Sequence, residues 1–435
     1  MHKTTRLAII ADDLSSATDC GIQVAQVGLR TVVPLQGYRF PAACGDVDVV
    51  SVDTDSRSMA PQDAYREARR ATEELMDAGC DSIYKSVDST LRGNLGAEID
   101  GVLDASGIGC AVVAPAYPLY GRTTIGGRHF VNGIPIDQTE FGSDPQCPVR
   151  ESDIVKLLSS QSKRKVGIVS LEALHAGNEA VAEALATLLN NGIGLVAFDV
   201  QEEEELEQLA LAVGALDSRV LWVGSTGLAR VIPEAIGMQA GKPSTVGPGL
   251  RGRQVMVVAG SASEVTRKQL LVLENAEGVI STKMNPLACV AGGGEQQAEI
   301  EHCRSSLVRG VEAGKDVVLH VSSSRSEIET TQASGRKRDL SDEQVSALIV
   351  SAMARVAREV LEACAVRGII LTGGDTAKAV CEALDAEAIR MIDAIEPGIP
   401  LGMLLGGREL LVVTKAGGFG SENALLASVE KMRNP

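Results

Sequence analysis

The sequence predicts an α/β fold in two domains, each a mostly parallel sheet covered by helices. Short aliphatic runs alternate with amphipathic stretches almost from end to end, which is the rhythm of βαβ units whose crossover helices cover a parallel sheet. Apolar residues make up 45% of the chain but aromatic ones only 3%, so Val, Ile, Leu and Ala must fill the core. At 435 residues the chain is also too long for one ordinary core, since a domain typically holds roughly 100–200 residues.

The elements follow in order. "RLAIIADDL", "DVVSVDTDSR", "DSIYKSVDST", "CAVVAPAYP", "KVGIVSL", "GLVAFDV" and "RVLWVGSTG" each read as a buried strand running into turn and capping residues. Between them, "PQDAYREARRATEELMDAG" predicts a helix: Pro61 opens it, Ala64, Ala68, Ala71 and Leu75 share a face, and Gly79 ends it. The acidic "QEEEELEQLA" (201–210) suits the solvated start of a helix, where carboxylates face the positive end of the dipole. Near 240–253, "AGKPSTVGPGLRGRQ" breaks the rhythm and predicts a linker. The expected domains are therefore 1–245 and 253–435. Beyond the linker, "QVMVVAGSAS", "DVVLHVSSSR", "GIILTGGDTA" and "LLVVTKAGGFG" repeat the strand-to-loop pattern, while the polar stretch 325–341 has few apolar anchors and is expected to form a mobile excursion.

A formal net charge of -16 argues against a general nucleic-acid surface. No run approaches the roughly 18 apolar residues of a membrane span, and the start "MHKTTRLAIIADDL" lacks the apolar stretch of a signal peptide. The nine cysteines are scattered, with no C-x-x-C, which argues for reduced thiols over a disulfide framework or a zinc site. A cytoplasmic chain is expected.

Ligands of open α/β sheets bind beyond the carboxyl ends of the strands, so the chemistry-bearing residues are sought there. In the first half these ends are "ADDLSSATD", "DTDSR", "KSVDSTLRGN" and "PAYPLYGRTTIGGRHFVNG". Asp12 and Asp13 suit a helix N-cap with a first-turn acid, or a carboxylate that reads or deprotonates a sugar hydroxyl. Arg57, Lys85 and Arg92 favour the second reading, because three cations in an acidic protein suggest an anionic ligand; the bland alternative is ion pairing with Asp53, Asp55 or Asp88. The glycines of "GRTTIGGRHFVNG" predict a tight, irregular loop from which Arg122, Arg128 and His129 could reach a ligand, with no catalytic role assigned to His129.

In the second half "AGSASEVT", "TGGDTAKAV" and "TKAGGFGSENAL" are glycine loops entering helices, and together they predict a phosphate-binding surface of backbone amides. "GPGLRG" precedes a strand instead of following one, and "GVEAGKD" is too short and carries Asp316 where a P-loop needs Ser or Thr. Neither dinucleotide nor Walker-type binding is supported.

On "IADDLSSATD", "DTDSR", "YKSVDSTLRGNLGAEI", "PAYPLYGRTTIGGRHFVNGIPI", "GSAS", "TGGDTA" and "KAGGFGS", the chain resembles the four-carbon acid sugar kinases. That resemblance implies a sugar-binding N-terminal domain, a nucleotide-binding C-terminal domain and an active site in the cleft between them. It places the sugar acid on Asp12 or Asp13, Arg57, the segment Lys85, Ser86, Val87 and Asp88, and Arg92. It places ATP on Ser261 or Ser263, on Gly373, Gly374, Asp375 and Thr376, and on Gly417, Gly418, Phe419 and Gly420. Asp88, Ser89 and Asn94 are expected to orient hydroxyls, and the catalytic base to be one of Asp12, Asp13 and Asp88. Where the family usually shows Thr-Gly after "ADDL", this chain has Ser15-Ser16, which narrows the pocket or adds a hydroxyl contact.

The expected activity is ATP-dependent phosphorylation of the C4 hydroxyl of a tetronate, D-threonate first, with D-erythronate or 3-oxo-tetronate as alternatives. Magnesium is expected with the ATP, its protein ligands unassigned, and homo-oligomerisation is possible. Readings from other classes are an acid-sugar lyase or isomerase and a sensor without turnover.

Overall fold

The computed structural model describes residues 6–38, 46–144, 146–216, 219–242, 250, 252–321 and 324–434. They fall into two compact units, Met1–Ser244 and Thr245–Pro435. Most of the expected linker, 243–249 and 251, lies outside the described residues.

The first unit contains β1 (Leu7–Ala11), β2 (Thr31–Pro34), β3 (Val49–Asp53), β4 (Ser82–Ser86), β5 (Ala111–Ala114), β6 (Arg122–Ile125), β7 (Arg128–Val131), β8 (Ile134–Pro135), β9 (Lys165–Val169), β10 (Ile193–Phe198) and β11 (Leu221–Gly224). Its main sheet runs β2-β3-β1-β4-β11-β5-β10-β9, and the pairings are parallel. Aliphatic strands pack under the helices, with Tyr84, Phe198 and Trp222 as the large fillers of one face. The helix Pro61–Asp77 buries Ala64, Ala68, Ala71 and Leu75, as its spacing predicts. Its small side chains allow close packing on the neighbouring helix Leu95–Ser106, where a Cβ on Gly101 would stand 2.4 Å from the Tyr65 carbonyl oxygen. The helix Leu14–Gln26 is held beyond both ends: Asp13 caps its start, and past its end Gly28 meets Gly241, where a Cβ on either glycine would stand within 2.5 Å of the other's carbonyl oxygen.

Strands β6 to β8 form a separate antiparallel meander, where an irregular loop was expected. Its turns, Gly126-Gly127 and Asn132-Gly133, have positive φ at both central residues, the geometry that closes two-residue hairpins. The glycines therefore regularise this segment.

The second unit contains β12 (Val255–Ala259), β13 (Val279–Lys283), β14 (Asp316–His320), β15 (Gly368–Thr372), β16 (Ala388–Glu396), β17 (Ile399–Leu405) and β18 (Leu411–Lys415), ordered β13-β14-β12-β15-β18-β17-β16. The first five are parallel, and the hairpin β16/β17 adds antiparallel strands beside β18. The stretch 325–341 is a correction: Arg325–Arg336 is a helix, capped by a reciprocal box in which Ser324 and Glu327 each take the other's backbone N–H. That box supplies the start signal that its few apolar residues do not. The acidic segment opens the helix Glu203–Gly214 as expected, but Glu205 turns inward to accept from Gln201 N, Glu202 N and His175.

Both units share a plan. The chain leaves the starting strand (β1 or β12), builds two strands to one side, then returns to its other side (β4 or β15). That reversal opens a crevice at the carboxyl ends of the strands.

Among the described residues no helix is long and apolar enough to cross a membrane, and the described cysteines are free.

Candidate functional site

In the first unit the loops after β3, β1 and β4 lie side by side. Thr54 N and Oγ1 bond the Ala11 carbonyl, and Ser56 N and Arg57 N bond that of Asp12. This lays residues 54–57 over the end of β1 and delivers the Arg57 guanidinium to the two aspartates. Its Nε and Nη2 take the two oxygens of Asp12 at 2.7 and 2.9 Å, and its Nη1 pairs with Asp13. Burial works against the charge, but Asp12, Asp13 and Asp88 hold the guanidinium pKa well above its ordinary value. Asp13 itself is the N-cap, accepting from Ser16 N, one residue later than a cap with a following first-turn acid would place it, and the first turn holds no acid. Ser16 adds a hydroxyl contact, and it is to Arg57 Nη2, at 3.0 Å.

Lys85 sits elsewhere than the sequence suggests. It is fully buried, with Nζ on Glu98 Oε2 at 2.7 Å, the Ser86 carbonyl at 2.6 Å and the Ile10 carbonyl at 3.2 Å. Glu98 also accepts from Ser56 Oγ, and burial raises its carboxyl above the usual range against the pull of Lys85. Lys85 therefore knits β4, β1 and, through Glu98, the 54–57 loop together beneath the strand ends. Ser86 Oγ contacts Cys20 Sγ, and Val87 N bonds the Gly224 carbonyl.

Asp88 accepts from Thr90 N and Oγ1 and from Arg92 Nε at 2.6 Å. Burial alone would raise its carboxyl, yet Arg57, Arg92 and Thr90 hold it well below the ordinary range. Arg92 reaches on to Asp144 and lies over the Phe141 ring. Asn94 does not face a hydroxyl: its Nδ2 points at the carbonyls of Ser56, Arg57 and Met59, buttressing the loop that carries Arg57. The Ser89 carbonyl takes His129 Nε2, while His129 Nδ1 meets Thr124 Oγ1. Burial pushes that imidazole down to about 4, with the Ser89 bond and Asp88 opposing, so a neutral His129 fastens the meander to the 88–92 loop.

Arg57, Lys85 and Arg92 thus each hold a carboxylate already, with partners other than those the spacing suggests except for Arg92 and Asp88. Two groups stand out against them. Arg122 has no carboxylate partner among the described residues; Nη1 bonds the Tyr120 carbonyl at 2.6 Å, and Nε is buried without a hydrogen bond. Burial lowers its pKa, with Asp88, Tyr120 and Glu140 opposing. Asp19, on the buried face of the helix Leu14–Gln26, is 8% exposed and has no side-chain partner among the described residues. Burial, then repulsion from Asp13, push it up to about 8 against the pull of Arg57. Its helical neighbours one turn away are Ser15, Ser16, Ile22 and Gln23, a mostly polar face, so the helical pattern does not mark Asp19 as buried.

In the second unit the three glycine loops leave adjacent strands β12, β15 and β18 and meet at Ser261. A Cβ on Gly417 would stand 2.2 Å from Ser261 Oγ, and one on Gly373 would stand 3.5 Å from Ser261 N. Ser261 Oγ accepts from Ser263 N, and Ser263 caps the helix Glu264–Glu274. Gly373, with φ +97°, caps the helix Gly374–Ala383. Thr376 is buried against Gly260, Asp375 is exposed in the first turn, and a Cβ on Gly374 or Gly418 would meet nothing within 4 Å. Phe419 turns its ring onto Gly398 in the β16/β17 turn, and Gly420 packs on Ile399 and Ala424, so these two shape the loop from behind. Beside Gly260 and Ala262 an apolar cavity of about 170 Å³ opens between Val321, Ile328, Val345 and Ile349. Lys415, the last residue of β18, carries no role in the sequence reading; its ammonium lies behind the third loop, on the carbonyls of Ala416, Gly417 and Phe419.

An open cradle at a helix N-terminus fits the phosphates of a nucleotide. Among the described residues no group of three or more His, Cys, Asp or Glu is arranged to hold a metal ion.

Comparison with known proteins gives both units a family. The model of a sugar-binding N-terminal domain matches residues 7–232, and that of a nucleotide-binding C-terminal domain matches residues 256–425. A D-threonate kinase of Cupriavidus necator is 35% identical over 420 residues, 96% of this chain and 95% of its own. A D-erythronate kinase of Heliobacterium modesticaldum is 31% identical over 439 residues, 98% of this chain and 97% of its own. The solved Haemophilus influenzae protein HI1011 aligns with a TM-score of 0.77 at 23% identity, covering 98% of this chain and all of its own, a likeness of fold alone.

Proposed function

The chain belongs to the four-carbon acid sugar kinase family and is a carbohydrate kinase, and on that premise we propose that it phosphorylates the C4 hydroxyl of D-threonate with ATP. The observation that carries the nucleotide half is the meeting of three glycine loops at Ser261 with open space over Gly374 and Gly418. ATP supplies the phosphoryl group; the chain supplies amides and a helix N-terminus for its phosphates, and the cavity beside Gly260 and Ala262 for its nucleoside end. Magnesium would arrive on the phosphates with most of its waters, and Asp375 is the carboxylate we assign to it.

For the sugar acid we assign the carboxylate to Arg122, whose buried Nε has no hydrogen bond and whose guanidinium has no carboxylate partner among the described residues. Arg57 and Asp12 present a fixed donor and acceptor array to the hydroxyls, with Arg92 and Asp88 closing the far side. Lys85, Ser86 and Val87 act from beneath, through the backbone they hold. Of the three candidate bases, Asp88 has its basicity suppressed and the Asp12 side chain is only 4% exposed. Asp13, with 29% of its side chain exposed, has the access to take the hydroxyl proton. Phosphoryl transfer then depends on positioning and charge neutralisation more than on covalent chemistry.

A panel of D-threonate, D-erythronate and 3-oxo-tetronate, followed by ADP release, tests the substrate: D-threonate should give the highest kcat/KM, and a clear preference for another acid overturns that choice. Arg122→Met should lower kcat/KM for the acid by about 10–100-fold, the worth of a charge-assisted contact, with KM for ATP unchanged. The same variant should narrow the gap between the acid and threitol, its neutral analogue; an unchanged gap removes Arg122 from the carboxylate site.

A further inference from the structure

Lys415 is 3% exposed, yet its ammonium ends on no carboxylate among the described residues. It stands in a ring of oxygens: the carbonyls of Ala416, Gly417 and Phe419 at 2.9, 3.1 and 3.1 Å, and Thr266 Oγ1 at 3.3 Å. Three of the four belong to the loop that follows β18. Two side chains of the helix Glu264–Glu274 complete the grip. Thr266 Oγ1 donates to the Gly417 carbonyl at 2.9 Å, and Gln269 Nε2 reaches the carbonyls of Phe419, Gly420 and Ser421 at 3.0, 3.3 and 2.8 Å. Carbonyls 416, 417, 419, 420 and 421 are thereby engaged by inner side chains. Peptide groups whose oxygens face one way present N–H groups the other way, which is how successive amides form an anion-binding concavity.

We propose that Lys415 is a positioning residue for the nucleotide: buried behind the loop, its ammonium holds the carbonyls of Ala416, Gly417 and Phe419 so that the N–H groups of the same peptide units, those of Gly417, Gly418 and Gly420, face the phosphates, and places a positive charge beneath them. Lys415 touches no phosphate; it acts through the backbone it holds. The inference rests on the nucleotide reading above and deepens it.

The charged group that faces Lys415 is Glu396 at the end of β16, whose carboxylate is occupied by Ser421 N and Oγ; the groups facing it from the helix, Thr266 and Gln269, do not titrate. Burial pushes the ammonium down to about 8, with Glu396 opposing. An anion against the loop favours the protonated form, so ATP binding takes up a proton as pH rises through about 8 and affinity falls there.

Calorimetric ATP binding to the full chain, with thermal unfolding and steady-state kinetics alongside, tests this for wild type, Lys415→Met and Lys415→Arg. The Met variant should bind ATP at least about 10-fold more weakly, roughly the worth of one charge-assisted interaction, with KM for the sugar acid unchanged. The Arg variant, permanently charged, should recover part of the affinity and lose the decline above pH 8 that wild type shows. A folded Met variant with wild-type affinity overturns the proposal, as does an Arg variant that keeps the wild-type decline. Should the Met variant not fold, the Arg variant and the wild-type proton uptake decide it. Wild type that binds no ATP overturns the nucleotide reading as well, whereas wild-type binding indifferent to Lys415 overturns this inference alone.

Discussion

Arg57 serves Asp12, Asp13 and Ser16 with one planar fork, which a lysine cannot match. Replacing Arg57 by Ala leaves a buried aspartate uncompensated and should cost about 3–5 kcal/mol in urea unfolding, with sugar turnover lost in the folded fraction. Lys85→Met should destabilise by a similar amount, for it strands Glu98 at 2% side-chain exposure. The double variant Lys85→Met with Glu98→Gln should recover part of that loss, which a ligand-contacting lysine would not predict. Asp19 adds a pH signature. Its carboxyl is raised to about 8 in the fold, so the folded state binds its proton more tightly than the unfolded chain does. The stability it contributes is complete below the unfolded value and is lost as pH rises through about 8. Asp19→Asn should flatten the fall in Tm between about pH 4 and about pH 8; an unaltered profile would mean that Asp19 titrates normally. At this scale the sequence showed what was local. Asp13 as a cap follows from its place between a strand and a helix, but the partners of Arg57, Lys85 and Arg122 are settled by strands that meet only after folding. Ion pairing was the alternative reading for the three cations, but of the partners the spacing offers only Asp88, on Arg92, is one that the fold pairs.

The glycine loops are rigid parts of their strands' ends. Gly417→Ala would drive a methyl into Ser261 Oγ, and the expected result is a rise in KM for ATP of about 10-fold or more from a displaced amide cradle, with KM for the sugar acid unchanged. Ser324→Ala should cost about 1 kcal/mol through loss of an N-cap, read from the unfolding midpoint. Strands and the Pro61–Asp77 helix were legible because period and burial agree in them. The meander β6–β8 and the helix Arg325–Arg336 were not, since each is set by turn or capping chemistry with little apolar periodicity to announce it. The capping pair Ser324 and Glu327 was nonetheless present in the right register.

Across the molecule, the same strand reversal recurs in both units, and in each the chemistry-bearing loops leave the carboxyl ends of neighbouring strands. Because Arg122 and Gly417 belong to different units and share no side chain, the effects of Arg122→Met and Gly417→Ala on RT ln(kcat/KM) should add within about 0.5 kcal/mol; a large departure would reveal thermodynamic coupling between the two sites. Within the first unit the helix Leu14–Gln26 is anchored beyond both ends. Asp13 is paired with the Arg57 guanidinium, and just past the other end the Gly28 backbone abuts Gly241. The two anchor points differ in kind, a charge pair at one end and at the other a backbone contact with no room for a side chain. A methyl on Gly28 or Gly241 would overlap the facing carbonyl, so either Ala variant should lower the unfolding midpoint.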